Sequence, residues 1–150
     1  MGSQPWMYAV PYQDDLQAAL DDLKDREFRA GRYYPAIDDI LTSYVHPEGI
    51  EGPGAQHATI EEALEASEDS GTQSVLDMVS IGSTPGPHIV VPLSEAAREG
   101  FFGTAHPTRA MVEGNDEWIE DIGRGEGVVI ALFTEDGAPH ELLFAGYSFD

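Results

Sequence analysis

The sequence predicts an α+β fold, with a mainly antiparallel sheet of about four or five strands, helices packed on the sheet, and a C-terminal β-hairpin. Three observations predict it: β-prone runs near both ends, capped amphipathic helical segments between them, and an Asp-Gly turn joining the last two runs. The 150 residues and 41% hydrophobic content fit a packed core, so we expect residues 1–150 to form one domain.

The first strand and the first helix carry the sharpest local signals. Residues 6–10 are mostly aromatic or aliphatic, which is typical of a strand. Asp14 or Asp15 then provides an N-cap for a helix that runs to about Ala30. Gly31 follows as a natural stop, because glycine adopts the left-handed backbone that ends many helices.

Shorter elements are expected through the middle of the chain. In order, they are a helix within residues 37–45, a long loop over 46–57, a helix after the Thr59 capping box to Ser67, strands over 74–81 and 88–92, and helices over 94–99, 108–113 and 116–122.

The C-terminal hairpin follows from two apolar runs. Residues 127–134 and 140–147 flank a turn that contains Asp136-Gly137. Their apolar residues are continuous rather than alternating, which indicates strands that are buried on both faces. We therefore expect the hairpin to lie centrally in the sheet, with helices over a face.

The charge of the chain excludes some partners. There are 28 Asp and Glu against 7 Lys and Arg, a net charge of −21. Nucleic acids and anionic membranes are bound through clustered cations, so we expect neither as a partner. Basic proteins, metal cations and cationic ligands are better electrostatic matches. A GC-rich genome or a high-salt habitat would explain the composition almost as well.

Several chemistries lack the residues they need. The chain has no cysteine, which excludes disulfides, thiolate catalysis and Cys-ligated metals. Residues 1–10 lack the features of a signal peptide, and no apolar run approaches the ~20 residues that span a bilayer. We expect a cytoplasmic protein that uses no cofactor.

The histidines do not predict a metal site. His46, His57, His88, His106 and His140 show neither His-x-x-x-His nor His-Glu-x-x-His spacing. Isolated surface or hydrogen-bonded histidines are the simpler explanation, and we predict no metal.

Catalytic motifs are also missing from the sequence. Adjacent carboxylates such as Asp21-Asp22 arise by chance in so acidic a chain, and a solvated helix face explains them. The segment around Ser83 does not match the G-x-S-x-G elbow of serine hydrolases. We therefore lean towards a protein that is not an enzyme.

A first candidate ligand site lies where the first helix ends. Arg29 and Arg32 are three residues apart, so they can face together, and Tyr33 and Tyr34 follow. Paired guanidiniums beside tyrosines can bind a carboxylate or phosphate. The alternative is structural, since cations near a helix C-terminus stabilise it and pair with neighbouring acids.

A second candidate lies in the turn before a later helix. His106 and Arg109 stand beside a predicted helix N-terminus, whose free N–H groups attract anions. The segment matches no known phosphate-binding loop. Capping of that helix by Thr108 explains most of the pattern without a ligand.

The acid-rich helices offer a third kind of site. Three helical segments carry clustered carboxylates, and the last also carries a tryptophan, a frequent anchor in interfaces. If the three segments lie on one side, they form a broad negative surface that attracts a basic partner. Trp118 could equally face the core. The predicted partner-binding residues are Asp116, Glu117, Trp118, Glu120 and Asp121.

Two functions follow from these observations. The favoured one is a small acidic cytoplasmic binding protein that captures a basic protein, as immunity-type inhibitors and nucleic-acid mimics do. The alternative is a small enzyme or ligand-binding domain. Its anion site would use the arginines and His106, between the segments 29–34 and 103–109.

Overall fold

The computed structural model describes residues 5–37 and 51–149. Among them, the helices are α1 (Leu16–Ala30), α2 (Ile60–Ser67), α3 (Glu95–Phe102), α4 (Arg109–Glu113) and α5 (Glu117–Glu120). The strands are β1 (Pro5–Pro11), β2 (Ser80–Ile81), β3 (Ile89–Pro92), β4 (Gly127–Phe133) and β5 (Pro139–Tyr147). Two short 3₁₀ turns, Glu68–Ser70 and Val75–Asp77, separate α2 from β2.

The strands form one sheet in the order β1-β5-β4-β3-β2. β5 is antiparallel to both neighbours, with Phe144 opposite Tyr8 of β1 and Leu143 opposite Ile130 of β4. β3 is parallel to both β4 and β2. The predicted C-terminal hairpin is therefore confirmed, and it lies inside the sheet rather than at an edge.

The α+β class is confirmed, but the expectation of a mainly antiparallel sheet was wrong, because the sheet is mixed. Between β3 and β4 the chain passes through α3, α4 and α5 and enters β4 in the direction of β3. A parallel pair needs such a crossover, whereas a hairpin gives an antiparallel pair. A strand followed by helices and another strand is the sequence pattern of a parallel pair, and it is present over residues 89–133.

Side-chain caps set the beginnings of the helices. The carboxylate of Asp15 accepts a backbone N–H in the first turn of α1, and Gly31 ends that helix with a φ of 74°. Thr59 accepts the N–H of Glu62, which confirms the predicted cap of α2, and the Glu62 carboxylate accepts the N–H of Ala58, one residue before the cap. Hydroxyl caps also begin the next two helices, at Ser94 and Thr108.

The strand predicted over residues 74–81 is wrong for most of its length. The structure has the 3₁₀ turn Val75–Asp77 there, and only Ser80–Ile81 is a strand. The Ser74 hydroxyl accepts the N–H of Leu76, which caps the turn. The Asp77 carboxylate folds back to Thr72, so the backbone cannot stay extended.

Both faces of the sheet are buried. Alternate residues of a strand point to opposite faces. Leu142 and Phe144 of β5 pack towards α1 in a first core, whereas Leu143 and Ala145 pack in a second core. The second core also receives Val112, Trp118, Ile122, Ile130 and Leu132. Helices therefore cover the central strands from both sides.

Some predictions fall wholly or partly outside the described residues. Apart from Ile37, the helix predicted within residues 37–45 lies outside them, and so does the loop prediction for residues 46–50. Residues 51–57 contain neither helix nor strand, as the loop prediction expects. None of the described helices is both long and apolar enough to cross a bilayer.

Truncation of either of two adjacent β5 residues is expected to destabilise the protein. Leu142→Ala opens a cavity in the first core and Leu143→Ala opens one in the second. Each should lower the free energy of unfolding by about 2–5 kcal/mol, measured by urea denaturation. His140→Ala, at an exposed position of the same strand, is the control and should stay within about 0.5 kcal/mol. A near-neutral L142A or L143A would contradict burial on both faces.

Candidate functional site

Arg32 of the first predicted anion site binds a carboxylate of the chain itself. Its Nε and one terminal nitrogen each donate to Glu27 at 2.7 Å, and Arg26 Nε donates to the same carboxylate at 2.8 Å. Glu27 is fully buried and the Arg32 side chain is only 13% exposed. These arginines are counter-ions of a buried glutamate, which is the structural alternative that the sequence offered.

The other residues of that segment hold neighbouring elements together. Arg29 pairs with Asp25 at 3.0 Å on the exposed side of α1. Tyr33 is fully buried, and its hydroxyl lies 2.7 Å from Nδ1 of His57 in the loop before α2. Tyr34 packs partly buried against the first core. The tyrosines therefore anchor the α1–α2 connection.

His106 and Arg109 of the second predicted site also contact the chain itself. The exposed His106 packs edge-on against Phe133, with ring centroids 4.6 Å apart. Arg109 donates to Glu113 at 3.2 Å and lies 3.6 Å from Glu141 at the start of β5. The ion pairs of Arg109 fasten α4 to the sheet.

The two predicted anion-binding segments are far apart. Arg109 lies beside Glu141, which pairs with Pro11 just before α1 begins. Arg29 and Arg32 lie at the opposite end of α1, which has 15 residues and so spans about 22 Å. The structure does not bring the two groups together around one ligand.

Trp118 of the predicted partner-binding set lies in the second core. It is 3% exposed, and its Nε1–H donates to the carbonyl of Val112 at 3.1 Å. An indole held in this way packs as a core side chain. The acids around it are exposed to solvent: Asp116, Glu117, Glu120 and Asp121.

The acid-rich helices divide between the two faces of the sheet. α1 and α2 both pack on the 3₁₀ turn Val75–Asp77, whereas α5 covers the second core. Lys24 on α1 interacts electrostatically with Asp21 and with Glu61 of α2, so these two acids lie on the same side of the protein as the lysine. We use the name α1–α2 acidic surface for the exposed carboxylates of both helices, of their caps and of Asp14 just before the first cap: Asp14, Asp15, Asp21, Asp22, Asp25, Glu61, Glu62, Glu65 and Glu68.

A cavity of about 370 Å³ opens next to this surface. Its apolar walls are Leu64, Val79 and Phe149. The remaining lining residues are polar or glycine: Ser67, Glu68, Gly71, Asp77 and His88. We call it the Asp77 cavity, because that residue carries its most unusual group.

Asp77 is a buried carboxylate with one oxygen left over. Its Oδ1 accepts from the N–H of Thr72 at 2.7 Å and from the Thr72 hydroxyl at 2.8 Å. Its Oδ2 is shielded from solvent and makes no well-aligned hydrogen bond to a described residue. Burial raises the pKa of this carboxyl above its ordinary value, and the bonds from Thr72, the charge of His88 and the backbone N–H of Gln73 only partly oppose that rise.

His88 stands next to Asp77 with a defined tautomer. Its Nδ1 lies 2.8 Å from the backbone carbonyl of Asp77, which can only accept, so Nδ1 carries the hydrogen. In the neutral ring, Nε2 is then the hydrogen-bond acceptor. The ring packs against Phe149 with centroids 4.9 Å apart.

Backbone strain collects around this cavity. Among the described residues, the non-glycine positions with positive φ are Glu68, Gln73 and His88, at 54°, 55° and 67°. Glu68 and His88 line the cavity, and Gln73 follows Thr72. Such conformations cost about 1–3 kcal/mol each and cluster at binding and active sites.

The sequence held one signal for this site that we did not use. Asp77 interrupts an apolar, β-prone run, and aspartate is depleted in strands. We predicted a strand there and weighed only adjacent pairs of carboxylates. The cavity itself depends on residues from distant parts of the chain, from Leu64 to Phe149.

The described residues hold no cluster of three or more metal-ligating side chains. Comparison with protein-family models, with curated proteins and with solved structures finds no match. Function therefore has to be inferred from geometry and charge.

Replacement of the buried Glu27 should remove a large part of the free energy of unfolding. Glu27→Gln removes the anion that binds Arg26 and Arg32 and should cost about 3–5 kcal/mol in urea denaturation. Asp25→Asn removes one charge from the same helix but only from an exposed pair, and should cost about 0–1 kcal/mol. Equal losses in the two variants would show that the buried position of Glu27 has no special weight.

Replacement of Asp77 by Asn should stabilise the protein at neutral and alkaline pH. Because folding raises the pKa of this carboxyl, the folded state holds its proton more tightly than the unfolded state does. Stability is therefore lost as the pH rises from the unfolded to the folded pKa, and the full cost remains above that range. Asn keeps an acceptor for Thr72 without the charge, so the gain at pH 8 should be on the order of 1 kcal/mol.

This gain should shrink as the pH falls through the raised folded pKa towards about 4, the ordinary pKa of an unfolded aspartate, and below that pH the wild-type carboxyl becomes protonated in both states. Urea denaturation of both proteins across this range measures it. Asp136→Asn, in an exposed turn, removes the same charge and should show no such trend. A lower stability of D77N than of the wild type at pH 8 would contradict the prediction that the buried charge of Asp77 destabilises the fold.

Proposed function

We propose that this chain is a small cytoplasmic binding protein that captures a basic protein through the α1–α2 acidic surface, as immunity-type inhibitors and nucleic-acid mimics do. The observation that carries the proposal is the packing of α1 and α2 on the same 3₁₀ turn, Val75–Asp77, with exposed carboxylates on both helices. A concentrated negative surface accelerates encounter with a basic partner and orients it.

The placement of the arginines supports this proposal. Arg26 and Arg32 bind buried Glu27, and Arg98 donates to the carbonyls of Leu93 and Ala105. These cations serve internal contacts, whereas Arg29 pairs with Asp25 and offsets one of the nine carboxylates of the surface. The same engagement weakens the alternative of an anion site, because its arginines already bind carboxylates of the chain.

Two variants with equal charge change can test the surface. The α1–α2 variant is D21N/D22N/E61Q/E65Q, which spares Asp15 and Glu62 because they cap helices. The matched control is D116N/E117Q/E120Q/D121N on and around α5, the predicted partner-binding acids. Pull-down from a lysate of the source organism at low salt, with mass spectrometry, identifies the retained protein.

We expect wild type and the α5 control to retain the same basic protein, and its affinity to fall as salt rises. The α1–α2 variant should bind it at least about tenfold more weakly, because each lost charge removes favourable electrostatic interaction. Retention of no specific basic protein, or equal loss in both variants, would contradict the proposal. Loss in the α5 variant alone would place the partner on the opposite face of the sheet.

The explanation of the charge by a high-salt habitat predicts a different dependence of stability on salt, which can be measured on the same purified protein. Salt shortens the range of charge repulsion from about 10 Å at 0.1 M to about 3 Å at 1 M. A protein adapted to high salt should gain stability strongly over that range. We expect only a modest change in the urea midpoint, because a protein that captures its partner at low salt has to be stably folded at low salt.

A further inference from the structure

The strands β1, β3 and β4 run in one direction and end at the same edge of the sheet. Pro11 of β1 and Leu132 of β4 both lie opposite Glu141 of the antiparallel β5, and β3 is parallel to β4. From this edge the chain leaves towards opposite faces, because α1 packs in the first core whereas Phe101 and Phe102 of α3 pack against the second. In open sheets, the crevice at the carboxyl ends of parallel strands whose connections diverge in this way is where ligands bind.

A cavity of about 230 Å³ lies at this edge. β3 ends at Pro92, beside Val129, whereas β4 continues to Phe133, so the shorter strand leaves room next to the longer one. We call it the Arg98 cavity, because Arg98 of α3 is the one cation that lines it. Its other lining residues are apolar except for Tyr12 and Asp14. The volume lies slightly below the range of about 300–1,000 Å³ that is usual for small-molecule sites, so the cavity suits a small ligand.

Arg98 is held in place by the backbone of its own segment. Its Nε donates to the carbonyl of Ala105 at 2.6 Å and its Nη1 donates to the carbonyl of Leu93 at 2.8 Å. The guanidinium carbon lies 5.9 Å from the centre of the Phe133 ring. Neutral carbonyls leave the charge of the guanidinium uncompensated, and none of the ion pairs within the described residues includes Arg98. A half-buried guanidinium fixed in this way is well suited to bind a carboxylate.

Asp14 places a negative charge on the same cavity. Its carboxylate accepts from the Tyr12 hydroxyl at 3.0 Å, and Arg98 interacts electrostatically with that phenol. Asp14 and Arg98 nevertheless do not form an ion pair with each other. Two opposite charges that line one cavity without pairing can each be matched by a ligand that carries both charges.

The overall charge of the chain also favours a zwitterion over a simple anion. The net charge of −21 repels an anion, and Asp14 adds to that repulsion at the cavity itself. A ligand with one ammonium and one carboxylate has no net charge, so this repulsion does not oppose its entry. Asp14 is exposed and water screens its charge, so we expect the half-buried Arg98 to contribute more to affinity.

We propose that the Arg98 cavity binds a small apolar α-amino acid. The carboxylate of the ligand accepts from the remaining N–H groups of Arg98, its ammonium faces Asp14, and its side chain lies against Leu16, Ala131 and Phe133. Arg98 is not one of the arginines of the anion site predicted from the sequence. The site is also separate from partner capture, since the isolated chain is sufficient to bind the ligand. Asp14 belongs to the α1–α2 acidic surface, but the variant D21N/D22N/E61Q/E65Q that tests that surface leaves it in place.

The test uses three probes of nearly equal shape. L-Leucine carries both charges, L-leucinamide lacks the carboxylate, and 4-methylpentanoate lacks the ammonium group. Isothermal titration calorimetry at pH 7 and about 0.15 M salt measures each probe, because salt screens the general attraction of the chain for the cationic amide. The site variants are R98Q and D14N. Their matched controls are R29Q, at the other end of α1, and D136N, in an exposed turn.

We expect the wild type to bind one L-leucine per chain saturably, and to bind the amide and 4-methylpentanoate at least about tenfold more weakly. R98Q should weaken leucine about tenfold or more and D14N should weaken it severalfold, whereas R29Q and D136N should leave its affinity unchanged. If R98Q fails to fold, D14N and the two analogues still decide, because Asp14 is exposed and lies outside the helix cap. No saturable binding of leucine, an analogue that binds as tightly as leucine, or unchanged affinity in D14N or in folded R98Q would overturn the proposal.

Discussion

The burial of β5 on both faces is the constraint on which the rest of the structure depends. Leu142 and Phe144 pack in one core, and Leu143 and Ala145 pack in the other. Neither face of the central sheet can therefore be exposed to water. Each face must be covered by helices, and in so acidic a chain those helices carry carboxylates on their outer sides. The division of the acids between the α1–α2 surface and α5 follows from this layered arrangement rather than from any local choice.

The same layering explains where the few cations go. An acid that falls on the inner side of α1 cannot reach water, and Glu27 is such an acid. It is tolerated because Arg26 and Arg32 bind it with three hydrogen bonds of 2.7–2.8 Å. Arginine suits this task better than lysine, since its planar fork meets both carboxylate oxygens at once. A cluster that resembles an anion site in the sequence is thus required by the fold.

Elements with local signals were predictable from the sequence, whereas relations between distant elements were not. The caps at Asp15 and Thr59 and the stop at Gly31 place α1 and α2 correctly, because capping depends on neighbouring residues. The parallel pairing of β3 with β4 depends on a crossover of more than thirty residues. We predicted antiparallel pairing there because short turns give antiparallel pairs, but that rule does not apply to so long a connection. The arginines were found as a cluster, but their partner Glu27 was not singled out among the neighbouring acids.

The Asp77 cavity shows the limit of such prediction most clearly. Its components are unremarkable when taken singly: a glycine, an aspartate, a histidine and apolar residues from Leu64 to Phe149. Only the fold reveals that the aspartate is buried, that one oxygen is unpaired and that strained residues surround it. A carboxyl whose pKa is raised by burial works against stability at neutral pH, and so does each residue with positive φ. A fold that concentrates these costs around one cavity gives up stability there, which is the pattern that functional sites commonly show.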